Sequence, residues 1–263
     1  MIGRSPNQIW NSGLEEGHRR LFRSPLALAA TGLVGGLDVM LGVLALVVSQ
    51  GALSQVVPEQ TAHIAASATF GIAFVFIAIG RSELFTENFL IPVSATLARR
   101  ASTIRLARMW LVTMASNIVA LVTISALISV PGVIDHAALV AAGKVADVYT
   151  SRDVFAALLS AVVAGAVMTL FTWLALASES PATRTLVALV AGFLLAAPSL
   201  NHAIVSFGEV VLGVVSGTSH GGVDDLVRNL GIAIVGNLIG GLGLVTLTRF
   251  FQARGEPAEE ASR

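Results

Sequence analysis

Apolar residues run in long blocks along this chain, and the polar ones gather between the blocks. A membrane-crossing helix takes about 20 apolar residues. Six stretches reach that length: 26–49, 63–97, 107–131, 153–178, 185–217 and 229–248. The second and fifth are too long for one straight helix, and each carries a polar interruption. In the second it is Gly80-Arg81-Ser82-Glu83-Leu84-Phe85-Thr86-Glu87-Asn88, and in the fifth Asn201-His202-Ala203-Ile204-Val205-Ser206-Phe207-Gly208-Glu209. The pattern predicts an all-α integral membrane protein of six transmembrane helices, with helices 2 and 5 broken. Each half then holds an odd number of helices, so the halves are expected to be inverted repeats whose broken helices meet near the midplane. The halves echo each other in Ser116-Asn117-Ile118-Val119-Ala120 and Gly236-Asn237-Leu238-Ile239-Gly240-Gly241, each following a broken span.

Composition narrows the class. Charged residues make up 12% of the chain and hydrophobic ones 55%, with mean hydropathy +0.81. A soluble domain carries about twice that charged share, so the lipid bilayer is the expected surroundings. A formal net charge of zero offers no basic surface for nucleic acid. The absence of cysteine excludes disulfides, thiolate metal sites and cysteine nucleophiles. Arg4, Arg19, Arg20 and Arg23 precede the first span, and Arg99, Arg100, Arg105 and Arg108 fall between the second and third. Arg184 lies between the fourth and fifth, and Arg249, Arg254 and Arg263 follow the sixth, whereas the opposite loops hold only Lys144, Arg152 and Arg228. Both termini are therefore expected on the cytoplasmic side of a bacterial-type inner membrane. Residues 1–24 lack the short apolar core of a cleaved signal. With Trp10, Leu14, Leu21 and Phe22 set among charges, they predict an amphipathic helix at the cytoplasmic interface. The expected organisation is a cytoplasmic segment 1–24, a six-helix channel domain 25–250 and a cytoplasmic tail 251–263.

Ionisable groups at membrane depth are costly and mark an ion or proton pathway. His202 is the candidate central group, since an imidazole titrates near neutrality; it also reads as a neutral histidine bonded across helices. Thr86 offers a hydroxyl beside the constriction. A helix break at membrane depth frees backbone groups that protein or water must satisfy, and Pro92 suits the start of a half-helix. Phe70, Phe74, Leu84, Phe85, Leu195 and Phe207 would form hydrophobic collars. Glu83, Glu87, Asn88, Asn201, Glu209 and Asp38 are expected to line the pore or its vestibules, with Arg81 the candidate partner of Asp38. Asn117 and Asn237, with Gly236 and Gly240 four residues apart, are expected to pack helices and support the breaks. No histidine and carboxylate spacing fits a metal site, and no nucleophile or cofactor motif supports an enzyme. A small monovalent ion is the expected cargo. His202 argues for an anion, while Glu83, Glu87 and Glu209 argue for a cation.

These residues resemble the formate/nitrite transporter family. The resemblance rests on Arg23-Ser24-Pro25 with Gly35 and Gly36 after it, Leu84-Phe85-Thr86, Trp110 followed by Asn117, His202, and Gly236-Asn237-Leu238-Ile239-Gly240-Gly241. It spans about residues 20 to 250 and implies an aquaporin-like homopentamer with one pore per subunit. It further implies passage of formate, nitrite or hydrosulfide, protonated at the central histidine and crossing the collars as neutral acids. Thr150 stands where the family has a lysine before helix four, Gly165 replaces an asparagine, Glu87 replaces a small residue, and Ser206 replaces an asparagine. These departures resemble a divergent branch of inner-membrane proteins. The extra carboxylates and the missing lysine weaken the attraction for anions. Weak-acid anions are the first expectation, and a cation-conducting or other small-solute channel is the alternative.

Overall fold

The computed structural model describes residues 3–255, which contain helices and no strand. Helix α1 (Pro6–Leu21) is followed by α2 (Pro25–Leu53) and α3 (Glu59–Gly80). A 3-10 turn (Phe85–Phe89) leads into the short α4 (Ile91–Leu97). Next come α5 (Thr103–Ile128), α6 (His136–Thr150), α7 (Val154–Ala177) and α8 (Pro181–Ala196). Then follow α9 (Val205–Val215) and α10 (Val223–Leu238), which passes through a π-helical segment (Ile239–Thr246) into α11 (Leu247–Gly255). Five helical segments, the last running over Val223–Gly255, are long and apolar enough to cross a membrane.

Local chemistry sets the helix starts. Ser24, Ser102 and Ser180 each accept the backbone N–H three residues on, and Pro25 and Pro181 occupy the first turn, where no N–H is needed. The Ser180-Pro181 start extends α8 ahead of the predicted 185. Asp224 and Asp225 sit in the polar first turn of α10, where an apolar-run criterion misses it; α10 starts at Val223, before the predicted 229. The last helix runs to Gly255, past the predicted start of the tail at 251, and residues 256–263 of that tail lie outside the described residues.

Helix α6 has no counterpart among the six predicted stretches. At about 1.5 Å per residue it is too short to span. It forms because Ala138, Ala141, Ala142, Val145, Ala146 and Tyr149 recur at helical spacing and bury one face against α9 and α2. Helix α1 likewise buries Ile9, Trp10, Leu14 and Leu21 on one face. It packs on α4 and α11, with the Trp10 ring 5.4 Å from that of Phe250. Phe70, Phe74, Leu84, Phe85, Leu195 and Phe207 all belong to one buried apolar core between the long helices. Leu111, Val119, Val163 and Val235 face outward instead, an apolar exterior that suits lipid.

Candidate functional site

After α3 ends at Gly80, Arg81 adopts a left-handed conformation (φ 61°) and turns the chain. The polypeptide then runs through Ser82–Leu84 into the 3-10 turn, and its backbone groups find side-chain partners. The Phe85 N–H donates to Asn117 Oδ1 (3.0 Å), and Asn117 Nδ2 donates to the carbonyls of Glu83 (3.1 Å) and Gly32 (2.7 Å). The Leu84 N–H donates to Glu87 Oε2 (3.1 Å), and Trp110 Nε1 donates to the Asn88 carbonyl (2.9 Å). Asp38 accepts from the Ser82 hydroxyl (2.5 Å), so the expected partner Arg81 is replaced by its neighbour. Arg81 instead lines a recess with Arg20 and Arg23.

The second interruption follows α8. Ser199 is left-handed (φ 48°) and its N–H returns to the Ala196 carbonyl (2.9 Å). The Ala203 N–H donates to Asn237 Oδ1 (2.8 Å), and Asn237 Nδ2 donates to the carbonyls of Asn201 (3.0 Å) and Ala161 (2.8 Å). Asn201, Ser206 and Asn229 form a closed side-chain network: Asn201 and Asn229 exchange amide hydrogen bonds (3.0 and 3.1 Å), and Ser206 donates to Asn201 (2.9 Å). Gly165 of α7 lies so close to this clamp that a Cβ there would sit 2.3 Å from the Asn237 carbonyl oxygen. Gly165 thus lets two helix backbones approach.

His202 lies between this clamp and α9. Its carbonyl accepts the Ser206 N–H (2.8 Å), and its Nδ1 accepts the Val205 N–H (3.2 Å). A ring nitrogen that accepts carries no hydrogen, so this geometry assigns the ring hydrogen to Nε2. Nε2 is buried with no hydrogen-bond partner, as are Thr86 Oγ1 and Glu209 Oε2. In a core where buried polar atoms are normally paired, such atoms mark places where a ligand can bind. The inward end of a neutral His202 is therefore an N–H donor.

The expected carboxylates are not free charges. Glu83 Oε1 pairs with Arg23 Nη1 (2.5 Å) and Arg20 Nε (3.1 Å). Arg20 also reaches Asn88 Oδ1 (3.2 Å) and Glu16 (3.0 Å). A recess of about 260 Å³ opens here, lined by six arginines (Arg4, Arg19, Arg20, Arg23, Arg81, Arg184) against three glutamates (Glu16, Glu83, Glu87). Its local charge is positive although the chain as a whole is neutral.

At the other end of α3 a recess of about 400 Å³ is lined by Gln50, Glu59, His63, Lys144 and Ser199 among others. Arg152 sits beside it, donating to Ser160 Oγ (2.9 Å) and to the Ser199 carbonyl (3.0 Å). On the same side Asp147 of α6 holds the loop before α10. It accepts from Ser219 Oγ (2.7 Å) and the His220 N–H (2.9 Å) and contacts His220 Nδ1 (2.6 Å). Partial burial pushes the Asp147 carboxyl up, but these hydrogen bonds outweigh it and hold it below the usual range. The hydrogen bond to Asp147, then its charge, raises the exposed His220.

Sequence reasoning singled out both interruptions, both asparagines and His202. It treated Arg20 as an orientation signal and Arg23 as that and as part of the family motif, gave neither a carboxylate partner, and passed over Tyr149, Ser199 and Asn229. Asn229 carried a signal, as a polar residue at the start of an apolar span. Arg20 and Arg23 carried another, two cations close together at the end of the amphipathic segment.

A model of the formate/nitrite transporter family matches residues 7–251. Among solved structures, one described as an FNT family ion channel superposes with a TM-score of 0.78 at 19% identity, covering 92% of this chain and 98% of that one. A pentameric formate channel with formate bound superposes with a TM-score of 0.71 at 13% identity, covering 86% and 96%. At these identities the likeness is one of fold. No curated protein matches the sequence.

Proposed function

The chain belongs to the formate/nitrite transporter family, and on that premise we propose that it forms a passive pore for small weak-acid anions, centred on His202 and Thr86. The observation that carries this reading is the pair of buried, unpartnered polar atoms, His202 Nε2 and Thr86 Oγ1, one beside each interruption of an otherwise apolar core. The Nε2–H is a donor for a passing carboxylate or nitrite oxygen, and the Thr86 hydroxyl can donate or accept.

In this reading six transmembrane segments form two inverted three-helix repeats, with α3 and α4 as one broken span and α8 and α9 as the other. The aquaporin-like subunits assemble as a homopentamer in an inner membrane, both termini cytoplasmic. Phe70, Phe74, Leu84, Phe85, Leu195 and Phe207 narrow the path, so that a bare ion crosses them at great cost and a neutral acid at little. The positive recess at Arg20 and Arg23 gathers anions at one end. Arg152 supplies a fixed cation near the other, where Lys144, eight residues before it, is already paired with Glu59. His202, as a neutral donor, stabilises the ion without itself being the proton source.

The cation reading loses much of its support because Glu83 is neutralised by two arginines and Glu87 is tied to the Leu84 N–H. It keeps one specific observation, the unpartnered Glu209 Oε2. Tracer fluxes of formate and of sodium into proteoliposomes down a sodium formate gradient separate the two. Formate uptake without sodium uptake supports the anion pore, and sodium uptake without formate uptake overturns it.

A further inference from the structure

A chain of exchangeable groups leads inward from the recess beside α6. His63, half-buried in the wall of that recess, sits with Nδ1 3.1 Å from Gln50 Oε1 and Nε2 3.4 Å from Ser199 Oγ. The Gln50 oxygen accepts from Nδ1–H, which leaves Nε2 to face Ser199. Ser199 is one of three non-glycine residues with positive φ among the described residues, a conformation that an L residue adopts at some cost. Its left-handed backbone and the Arg152 hydrogen bond to its carbonyl fix where its hydroxyl points. That hydroxyl meets the Tyr149 hydroxyl, and Tyr149 in turn meets the Glu209 carboxylate. Tyr149 and Glu209 are 3% and 2% exposed, so this arm lies inside the protein. The chain ends at Glu209 Oε2, which has no partner.

We infer that His63, Ser199 and Tyr149 form a proton path from the outer recess to Glu209, and that Glu209 is the proton donor accompanying the transported anion. The inference rests on the anion-pore reading. Each link can both accept and donate. A proton taken from water by His63 Nε2 passes to Ser199 Oγ, whose own proton moves to the Tyr149 oxygen, whose proton moves to the Glu209 carboxylate. His63 is then neutral and Glu209 is a carboxylic acid. Donation of that proton to a formate ion yields formic acid and restores the carboxylate, and rotation of the two hydroxyls resets the path. The need for such a donor follows from the site itself, because a neutral His202 has no proton to give beyond its Nε2–H.

The charges around the path suit this task. Arg152 stands over the Tyr149 ring (5.6 Å), and the Lys144–Glu59 pair (2.8 Å) flanks the mouth. Asp147 is occupied by His220, and Arg228 by Asp225 and the Thr150 carbonyl.

The test uses the full chain in proteoliposomes with a pH-sensitive dye inside. Tyr149→Phe, which removes one hydroxyl and keeps the ring, should slow net formate uptake and the accompanying internal acidification at least tenfold. Exchange of labelled formate at equal concentrations moves no net proton and should stay within twofold of wild type. Net uptake within twofold, or exchange that falls together with uptake, overturns the path. A wild-type protein that moves no formate at all refutes the pore reading instead. The path is then tested alone by infrared spectroscopy of the same vesicles. A protonated-carboxyl band that titrates with external pH, vanishes in Glu209→Gln and responds at least tenfold more slowly in Tyr149→Phe supports it. The absence of any band attributable to Glu209 overturns it.

Discussion

At the first interruption Asn117 accepts the Phe85 N–H and donates to the Glu83 and Gly32 carbonyls; at the second Asn237 accepts the Ala203 N–H and donates to the Asn201 and Ala161 carbonyls. Each asparagine thus meets one amide and one carbonyl of its interruption and ties them to a third element, α2 in one case and α7 in the other. Each interruption also contains one left-handed non-glycine residue, Arg81 or Ser199. The backbone problem is the same in both places and has the same solution. The side chains differ. The first interruption carries Arg81, Glu83 and Glu87 and is braced by Arg20 of α1 and by Arg23 just after it. The second surrounds His202 with uncharged groups, braced by Asn229 and Ser160, and keeps its one carboxylate, Glu209, two turns on in α9. Closing a break is therefore separable from what the break presents: charge compensation at one and an N–H donor at the other.

The largest expected effects come from breaking what the two share. Asn117→Ala and Asn237→Ala each leave a buried N–H and two carbonyls short of a partner. At about 1–3 kcal/mol per unsatisfied group, each should destabilise the protein by about 4 kcal/mol. Thermal unfolding of the purified oligomer measures this. A large loss for one and none for the other would end the equivalence of the clamps.

Next comes a change that touches only the first interruption. Arg20→Ala leaves Glu83 with Arg23 alone and should cost about 3 kcal/mol, the lower range for breaking a buried ion pair. Adding Glu83→Gln should recover part of that loss. The same thermal measurement decides it, and a double variant no more stable than Arg20→Ala would mean that Arg20 acts through Glu16 or Asn88.

A smaller stability effect sharpens the contrast between an unpartnered hydroxyl and a networked one. Thr86→Val removes a hydroxyl that bonds to nothing in the fold, so stability should stay within about 0.5 kcal/mol while formate flux falls. Ser206→Ala removes a hydroxyl bonded to Asn201 and Asn229 and should cost about 1 kcal/mol. Paired unfolding and flux measurements check both; a Thr86→Val protein with wild-type flux would remove that residue from the pore.

The smallest effect lies outside both interruptions. His220 has a raised pKa and Asp147 a lowered one. The His220 contribution is full below the ordinary histidine value and is lost as pH rises through the raised one. The Asp147 contribution is full above the ordinary aspartate value and is lost as pH falls through the lowered one. The loop is therefore held most firmly between the ordinary aspartate and histidine values. Hydrogen exchange at Gly221 and Gly222, corrected for intrinsic rates, should accelerate above the raised His220 pKa, and Asp147→Asn should abolish that dependence.

Much of this site could be read along the chain, because an interruption of an apolar run and an asparagine in a later span are local signals. His202, Asn117 and Asn237 stood out for that reason. The Arg20–Glu83 and Arg23–Glu83 pairs did not, since each joins residues about 60 positions apart and hydropathy says nothing of which charge meets which. Glu83 consequently read as a reason to expect cations, whereas its position against two arginines removes that reason. Tyr149 was hidden in the same way. Helix α6 is too short to register as a span, and only the packing of α6 on α9 brings its last turn to Glu209.

The account turns on the N–H that His202 presents at the second interruption. Formate uptake by proteoliposomes of wild type and His202→Ala, with oligomer size verified for both, tests it most directly. The account predicts at least a tenfold loss of uptake from an oligomer that remains assembled. Uptake by the intact His202→Ala oligomer at the wild-type rate would contradict it.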